Sequence, residues 1–295
     1  GYRPSYAARV LASGRSHVLS VITANTSTYG YAETIRGVED AARAAGFAVM
    51  ITVLGSNEPD DIAQQVRAAT DRSIAGVVVL KFEKAGVAAL KAVPPDLPVV
   101  ALSGLREVGV PQALIDETRA AEELTGYLLS LGHETVHHVR IPRSRREDGR
   151  TTGWRRALRK AGARIPDLID APWDPRAGRG IGRQIAKTPG ITAVFCGNDE
   201  IAMGVIRGIH DEGLRVPQHI SVAGFDDHPL AELWEPALTT VHQDFADMGR
   251  RGIALLMSAI QQEGGALISS VRPPLVIRES TSLSVRPTAL GVRAA

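Results

Sequence analysis

Short apolar runs alternate with amphipathic stretches along almost the whole chain. "HVLSVI" (17–22) has the character of a buried strand, and "YAETIRGVEDAARAAG" (31–46) follows it. There Ile35, Val38, Ala42 and Ala45 recur at spacings of three and four, the period of a helix face, and Gly46 supplies a stop. "FAVMITVL" (47–54) predicts the next strand. "EPDDIAQQVRAATDRS" (58–73) predicts a helix whose acidic opening suits the positive end of the helix dipole. "IAGVVVL" (74–80) is the β-branched run of a strand covered on both faces, as in a parallel sheet. "EKAGVAALKAV" and then "LPVVAL" (97–102) complete a further unit.

The alternation begins again with a helix at 117–131, stopped by Gly132, and a strand at 134–139. Helices at 150–162, 177–187, 199–213 and 245–263 then interleave with strands at 167–171, 191–196, 220–225, 237–244 and 271–280. This order predicts an α/β fold of two doubly wound parallel-sheet lobes with right-handed crossovers. A return to the first block at the end predicts that the chain crosses between the lobes more than once. The boundaries so drawn are 1–15 for a linker, 16–131 plus 244–271 for the N-terminal lobe, and 132–243 plus 272–295 for the C-terminal lobe.

Composition narrows the function. The chain has 295 residues, 44% of them hydrophobic, enough to fill two cores. A formal charge of +2 makes any nucleic-acid contact local. The single cysteine, Cys196, excludes an internal disulfide and a multi-cysteine metal cage, and its apolar setting in "ITAVFCGND" reads as a buried thiol. No apolar segment approaches the roughly 20 residues that span a bilayer. The first thirty residues lack the apolar core and cleavage site of a signal peptide, which favours the cytoplasm.

Ligands of open α/β sheets bind beyond the carboxyl ends of the strands. The segments there are "TANTSTYGY" (23–31), "KFEK" (81–84), "SGLRE" (103–107), Asp116, "RSRREDGR" (143–150), "PWDP" (172–175), "GNDE" (197–200), "DDHP" (226–229) and "HQDF" (242–245). They supply planar donors and acceptors with a few aromatic rings, the set that suits a small hydroxylated molecule. No phosphate-binding glycine loop follows a strand, since "GRGIGRQ" (178–184) lies within a helical stretch, and no nucleophile elbow occurs. His133, His137 and His138 read as surface and turn residues rather than a metal site, because strand neighbours face opposite sides. Asp226 and Asp227 diverge by the same argument, one toward the ligand and one capping a turn. Trp173, between prolines in a turn, reads as a stacking ring against the alternative of a core residue. Arg150 opens a helix, where its charge opposes the dipole, so a ligand is expected to offset it unless the side chain is simply solvated. Neither a metal nor an organic cofactor is expected.

Three segments carry a resemblance. "GYRPSYAARVLASGRSHVLSVI", "GRTTGWRRAL" and above all the stretch from "VFCGNDEIAMG" through "SVAGFDDHPLAELWEPALTTVHQDF" are similar to the LacI/GalR family of transcriptional regulators, along essentially the whole chain. The family implies a type I periplasmic-binding-protein-like core. Its activity is repression of transcription by a homodimer that binds operator DNA and responds to a small sugar-like effector held between the lobes, with no enzymatic step. By resemblance, residues 4–13 form a hinge that folds in the DNA minor groove; Leu11 matches its apolar wedge, Ala8 and Arg9 line the groove, and Arg15 meets phosphate. The effector residues implied are Tyr29, Gly30, Tyr31, Thr34, Lys81, Asp116 and Arg119, then Arg150, Trp173, Asn198, Asp226, Gln243 and Phe245. Arg119 stands where a relative has an acidic sugar ligand. Together with Lys81 it makes room for an acidic effector, such as a sugar acid or a phosphorylated sugar. The dimer surface is expected on helices such as 58–71 and 199–213. The rival readings are an exported solute-binding protein for transport, of the same fold, and an enzyme acting on a sugar through Asp226, Asp227 and Arg150.

Overall fold

Twelve strands and eight helices are found among the described residues of the structure, a computed structural model that covers 17–71, 74–107, 109–142, 148–262 and 266–284. The hinge residues Ala8, Arg9, Leu11 and Arg15 lie outside that range. The chain divides into two compact units. One holds the described residues through Asp116 together with Asp148 and Asp244–Arg272; the other holds Glu117–Pro142, Gly149–Gln243 and the described residues from Pro273.

The first unit is built on β1 (Val18–Thr23), β2 (Ala48–Val53), β3 (Gly76–Leu80), β4 (Val99–Ser103), β5 (Gln112–Ile115) and β11 (Ile268–Val271). They form one parallel sheet in the order β11-β5-β4-β3-β1-β2. Its helices are α1 (Tyr29–Ala44), α2 (Pro59–Thr70), α3 (Lys84–Ala92) and α8 (Phe245–Gln261). The run Val77–Leu80 is wholly buried and serves both faces. Val77 and Val79 pack with Ile62 and Val66 of α2 and Ala85 of α3, while Val78 and Leu80 pack with Val38 of α1 and Met248 and Leu256 of α8. A β-branched run thus becomes the central strand of a two-sided core.

The second unit contains β6 (His137–Arg140), β7 (Ile169–Asp170), β8 (Ala193–Cys196) and β9 (Ser221–Ala223), parallel in the order β7-β6-β8-β9. A separate antiparallel ribbon pairs β10 (Thr240–Val241) with β12 (Leu275–Val276). The helices are α4 (Glu117–Ser130), α5 (Gly149–Lys160), α6 (Pro175–Ala186) and α7 (Asp199–Asp211). Strand β8 repeats the two-sided logic: Ala193 and Phe195 meet α4 and α5, whereas Val194 and Cys196 meet α6 and α7. Cys196 is fully buried, and burial pushes its thiol pKa up.

Three expectations are corrected. The strand expected at 271–280 is two short ones in different sheets, because Pro273 and Pro274 lack the N–H groups a ladder needs. The helix expected in the N-terminal lobe at 117–131 belongs to the second unit. The cause is its seam with α5, where Gly153 lies so close to the Thr118 carbonyl and the Glu122 amide that a Cβ would not fit. The third concerns the histidines. His138 is fully buried, its Nδ1 3.0 Å from the Phe195 carbonyl and its ring stacked on Phe195. His133 is buried too, bridging Thr192 Oγ1 at 2.9 Å and Ser221 Oγ at 3.1 Å. A buried imidazole is stable when both ring nitrogens find partners.

The spaced glycines of "GRGIGRQ" are a packing device. Gly178 and Gly182 of α6 face Gly204 and Gly208 of α7, and each occupies ground where a side chain would strike backbone of the other helix.

Candidate functional site

Two groups of predicted residues are brought together, one in each unit. In the first unit the chain leaves β1 through a loop ordered by Asn25, whose Oδ1 accepts from the Ser27 and Thr28 amides at 2.7 and 3.1 Å. That loop delivers Tyr29, Gly30 and Tyr31 to the first turn of α1. Phe82, just past β3, and Phe245, the first residue of α8, complete an aromatic group. Phe245 meets Tyr29 edge-on at 5.9 Å and Phe82 at 6.4 Å. A Cβ on Gly30 would lie 2.9 Å from the Phe245 ring, so glycine is what lets that ring approach α1. Tyr31 is buried and donates to Glu83 Oε1 at 2.9 Å; burial and the Glu83 charge both push its phenol pKa up.

Thr34 is turned inward: it is fully buried and donates to the Gly30 carbonyl at 2.6 Å. Lys81 is 2% exposed, with Nζ donating to the Leu105 carbonyl at 3.2 Å and Glu107 Oε2 at 2.7 Å. Its charge is therefore matched within the unit. Asp116 is half-buried and its backbone N–H donates to the Val271 carbonyl.

The second unit gathers Arg150, Asp226 and Gln243 around Phe225. Arg150 is 7% exposed in the first turn of α5. Its Nη2 and Nε lie 2.9 and 3.3 Å from Glu117 Oε1, and Nη2 lies 3.2 Å from Asp226 Oδ1. Nη1 donates to the Gly197 carbonyl, and the guanidinium carbon sits 4.5 Å above the Phe225 ring centre. The charge opposing the helix dipole is thus offset by protein carboxylates and an aromatic face rather than by solvent. Glu117, which the sequence reading passed over, supplies the closest carboxylate. Gly149 makes this possible, since α5 begins against Glu117 and Thr118 of α4 with no side chain between.

Asp226 is 8% exposed, and burial pushes its carboxyl pKa up to about 8 against the attraction of Arg150. Its φ of 119° is in the region that favours glycine, and Asp227 follows with φ 56°. Asp199 holds the turn: its Oδ1 accepts from Thr240 Oγ1 at 2.6 Å, its Oδ2 from the His228 amide at 2.7 Å, and its own N–H donates to the Phe225 carbonyl. The adjacent aspartates diverge: Asp227 accepts from Arg278 at 2.7 Å and meets His242 Nδ1 at 2.9 Å, while Asp226 faces Arg150 and Gln243. Gln243 is 2% exposed; Nε2 donates to Asp226 Oδ1 at 2.6 Å, and Oε1 has no partner among the described residues.

Asn198 follows Gly197 and caps α7, its Oδ1 accepting from the Ile201 amide at 3.0 Å. Trp173 is half-buried against the apolar layer of α6 and α7, with an indole N–H that has no partner among the described residues. No hydrogen bond or ring contact there joins it to the Arg150 group. Arg119 is exposed on α4. No group of three or more His, Cys, Asp or Glu is placed to hold a metal among the described residues.

Residues 125–281 match the family model of the periplasmic binding protein-like domain. The ribose operon repressor of Escherichia coli is 30% identical over 270 residues, 88% of this chain and 81% of that protein. The chain belongs to the LacI family. Other LacI-family relatives include the catabolite control protein A of Priestia megaterium, 28% identical over 89% of this chain and 81% of its own length. The transcriptional repressor PurR of Pectobacterium carotovorum is 29% identical over 95% of this chain and 84% of its own. Among solved structures, the lac repressor dimer bound to operator and an anti-inducer superposes with a TM-score of 0.87 at 22% identity, over 96% of this chain and all of that one. A complex of the regulator CelR with cellobiose gives 0.80 at 22%, over 92% and 88%. This LacI-family chain is a ligand-responsive transcriptional repressor, not an enzyme and not a transport protein. No helix among the described residues is long and apolar enough to cross a membrane.

Proposed function

We propose that this repressor senses a neutral, polyhydroxylated small molecule of the sugar class, and that the Arg150–Asp226–Gln243 group recognises it. The observation that carries the reading is the orphaned Gln243 Oε1. A buried acceptor without a donor costs about 1–3 kcal/mol, and a ligand hydroxyl removes that cost. Asp226 and Glu117 beside it add acceptors, so the group suits a molecule rich in O–H donors. The aromatic group of Tyr29, Phe82 and Phe245 suits the apolar face of a sugar ring. A solved relative in fold carries cellobiose, a neutral sugar. Lys81 is spent on Glu107 and Arg150 on Glu117 and Asp226, so neither cation is left to favour an acidic effector. Differential affinity of the effector for two states of the protein then shifts operator binding, and the protein works as a cytoplasmic homodimer.

The dimer has physical support in the second unit. Leu230, 48% exposed, and Trp234 border a largely apolar groove of about 480 Å³ lined also by Met203, Gly204 and Pro175, and Leu233 nearby in sequence is 75% exposed. Exposed apolar surface of that kind is costly unless covered. A thermal-shift screen of neutral sugars against their acidic counterparts tests the effector class: stabilisation by acids alone would refute it. Sedimentation of Leu230→Glu tests the dimer, which should give monomers if this face is the contact.

A further inference from the structure

We infer that Glu117 is a specificity-determining residue, which fixes Arg150 and turns the group against acidic ligands. The inference rests on the assignment of the Arg150–Asp226–Gln243 group to effector recognition. Glu117 stands in the first turn of α4, where the helix dipole favours a negative charge. Its Oε1 takes two donors of Arg150, the Gly197 carbonyl takes a third, and Asp226 Oδ1 shares Nη2. The guanidinium is held over the Phe225 ring by these contacts, with one edge committed to carboxylate before any ligand arrives.

An incoming carboxylate or phosphate meets that edge under poor terms. It must displace Glu117 from Arg150 or place a second anion beside Glu117 around a single cation, in a setting where Arg150 and Glu117 are mostly shielded from water. A hydroxyl suffers neither penalty, since it donates to Gln243 Oε1 or to a carboxylate oxygen and leaves the ion pair as it is. Glu117 need not touch the effector to do this; it acts through Arg150 as a positioning residue and through its charge.

The test uses matched pairs, D-glucose with D-glucuronate and D-galactose with D-galacturonate, titrated by calorimetry into the native protein, Glu117→Gln and Asp226→Asn. The native protein should favour the neutral member. Glu117→Gln, nearly isosteric, should narrow that preference at least tenfold, whereas a merely structural role would weaken both members alike and leave the ratio unchanged. Glu117→Asp, which keeps the charge, should keep the preference, and it serves as well if the glutamine variant folds poorly. An unchanged ratio in Glu117→Gln, with binding lost in Asp226→Asn, overturns the role of Glu117 and spares the site. Undiminished binding in Asp226→Asn, or no binding of any neutral member by the native protein, overturns the site reading and the inference with it.

Discussion

Gln243 donates to Asp226 Oδ1 at 2.6 Å while its own carbonyl oxygen faces no donor among the described residues. The amide is thus half satisfied, held in orientation by the aspartate and buried without a donor on its other side. Gln243→Met keeps the volume but removes the acceptor, and should weaken effector binding roughly 10- to 100-fold, the worth of one or two good hydrogen bonds. Thermal stability should change little, because the change also removes an unmet buried acceptor. Calorimetry beside a melting curve separates the two.

Asp226 gives the protein a pH signature. Its carboxyl pKa is pushed up by burial to about 8, and that of Asp199 to about 6, both above the ordinary carboxylate range. The folded state therefore holds protons that the unfolded chain releases near pH 4. The stability so gained is full below the unfolded value and is lost as pH rises through 6 and then 8. His133 and His137, whose pKa values burial lowers, act in the opposite direction as pH rises through the ordinary histidine range. Urea unfolding at pH 6.5 and 8.5 should show the native protein losing stability across that interval. Asp226→Asn should flatten the loss.

The α6–α7 seam offers a contrast within one helix. A methyl at Gly182 would run into the Val205 carbonyl, whereas Gly180 has open space. Gly182→Ala should cost about 1–3 kcal/mol or more as the helices are forced apart. Gly180→Ala should be neutral or stabilising by about 0.5–1 kcal/mol through helix propensity. Denaturant unfolding of both variants checks the pair.

Trp173 provides an optical readout. Trp154 is fully buried, with its N–H on the Val136 carbonyl at 2.8 Å, so it should report little. If Trp173 stacks on the effector, ligand should change the emission of the native protein more than that of Trp173→Phe, in which the exposed Trp234 remains. An unchanged signal in the native protein counts against the stacking role.

The architecture was legible because two-sided burial writes continuous apolar strands and helical spacing into the chain. "IAGVVVL" and "ITAVFC" became β3 and β8 at the centres of their sheets. Shorter signals were lost: Pro273–Pro274 splits an apparent strand, and β5 is only four residues long. His138 was misread because nothing local shows that Phe195 and Thr151 will satisfy its ring. Asp226 and Gln243 carried a family signature and do meet. Glu117 carried none, and its ion pair with Arg150 spans 33 residues of sequence, a distance only the α4–α5 seam closes. Lys81 shows the same blindness, its cationic promise cancelled by Glu107 on a loop 26 residues away.

A crystal structure with a bound neutral sugar tests the site most directly. A ligand hydroxyl should lie within about 2.6–3.2 Å of Gln243 Oε1, with the Arg150–Glu117 pair unbroken. A sugar seated elsewhere, with Gln243 and Asp226 still making only their contacts to each other and to Arg150, would contradict it.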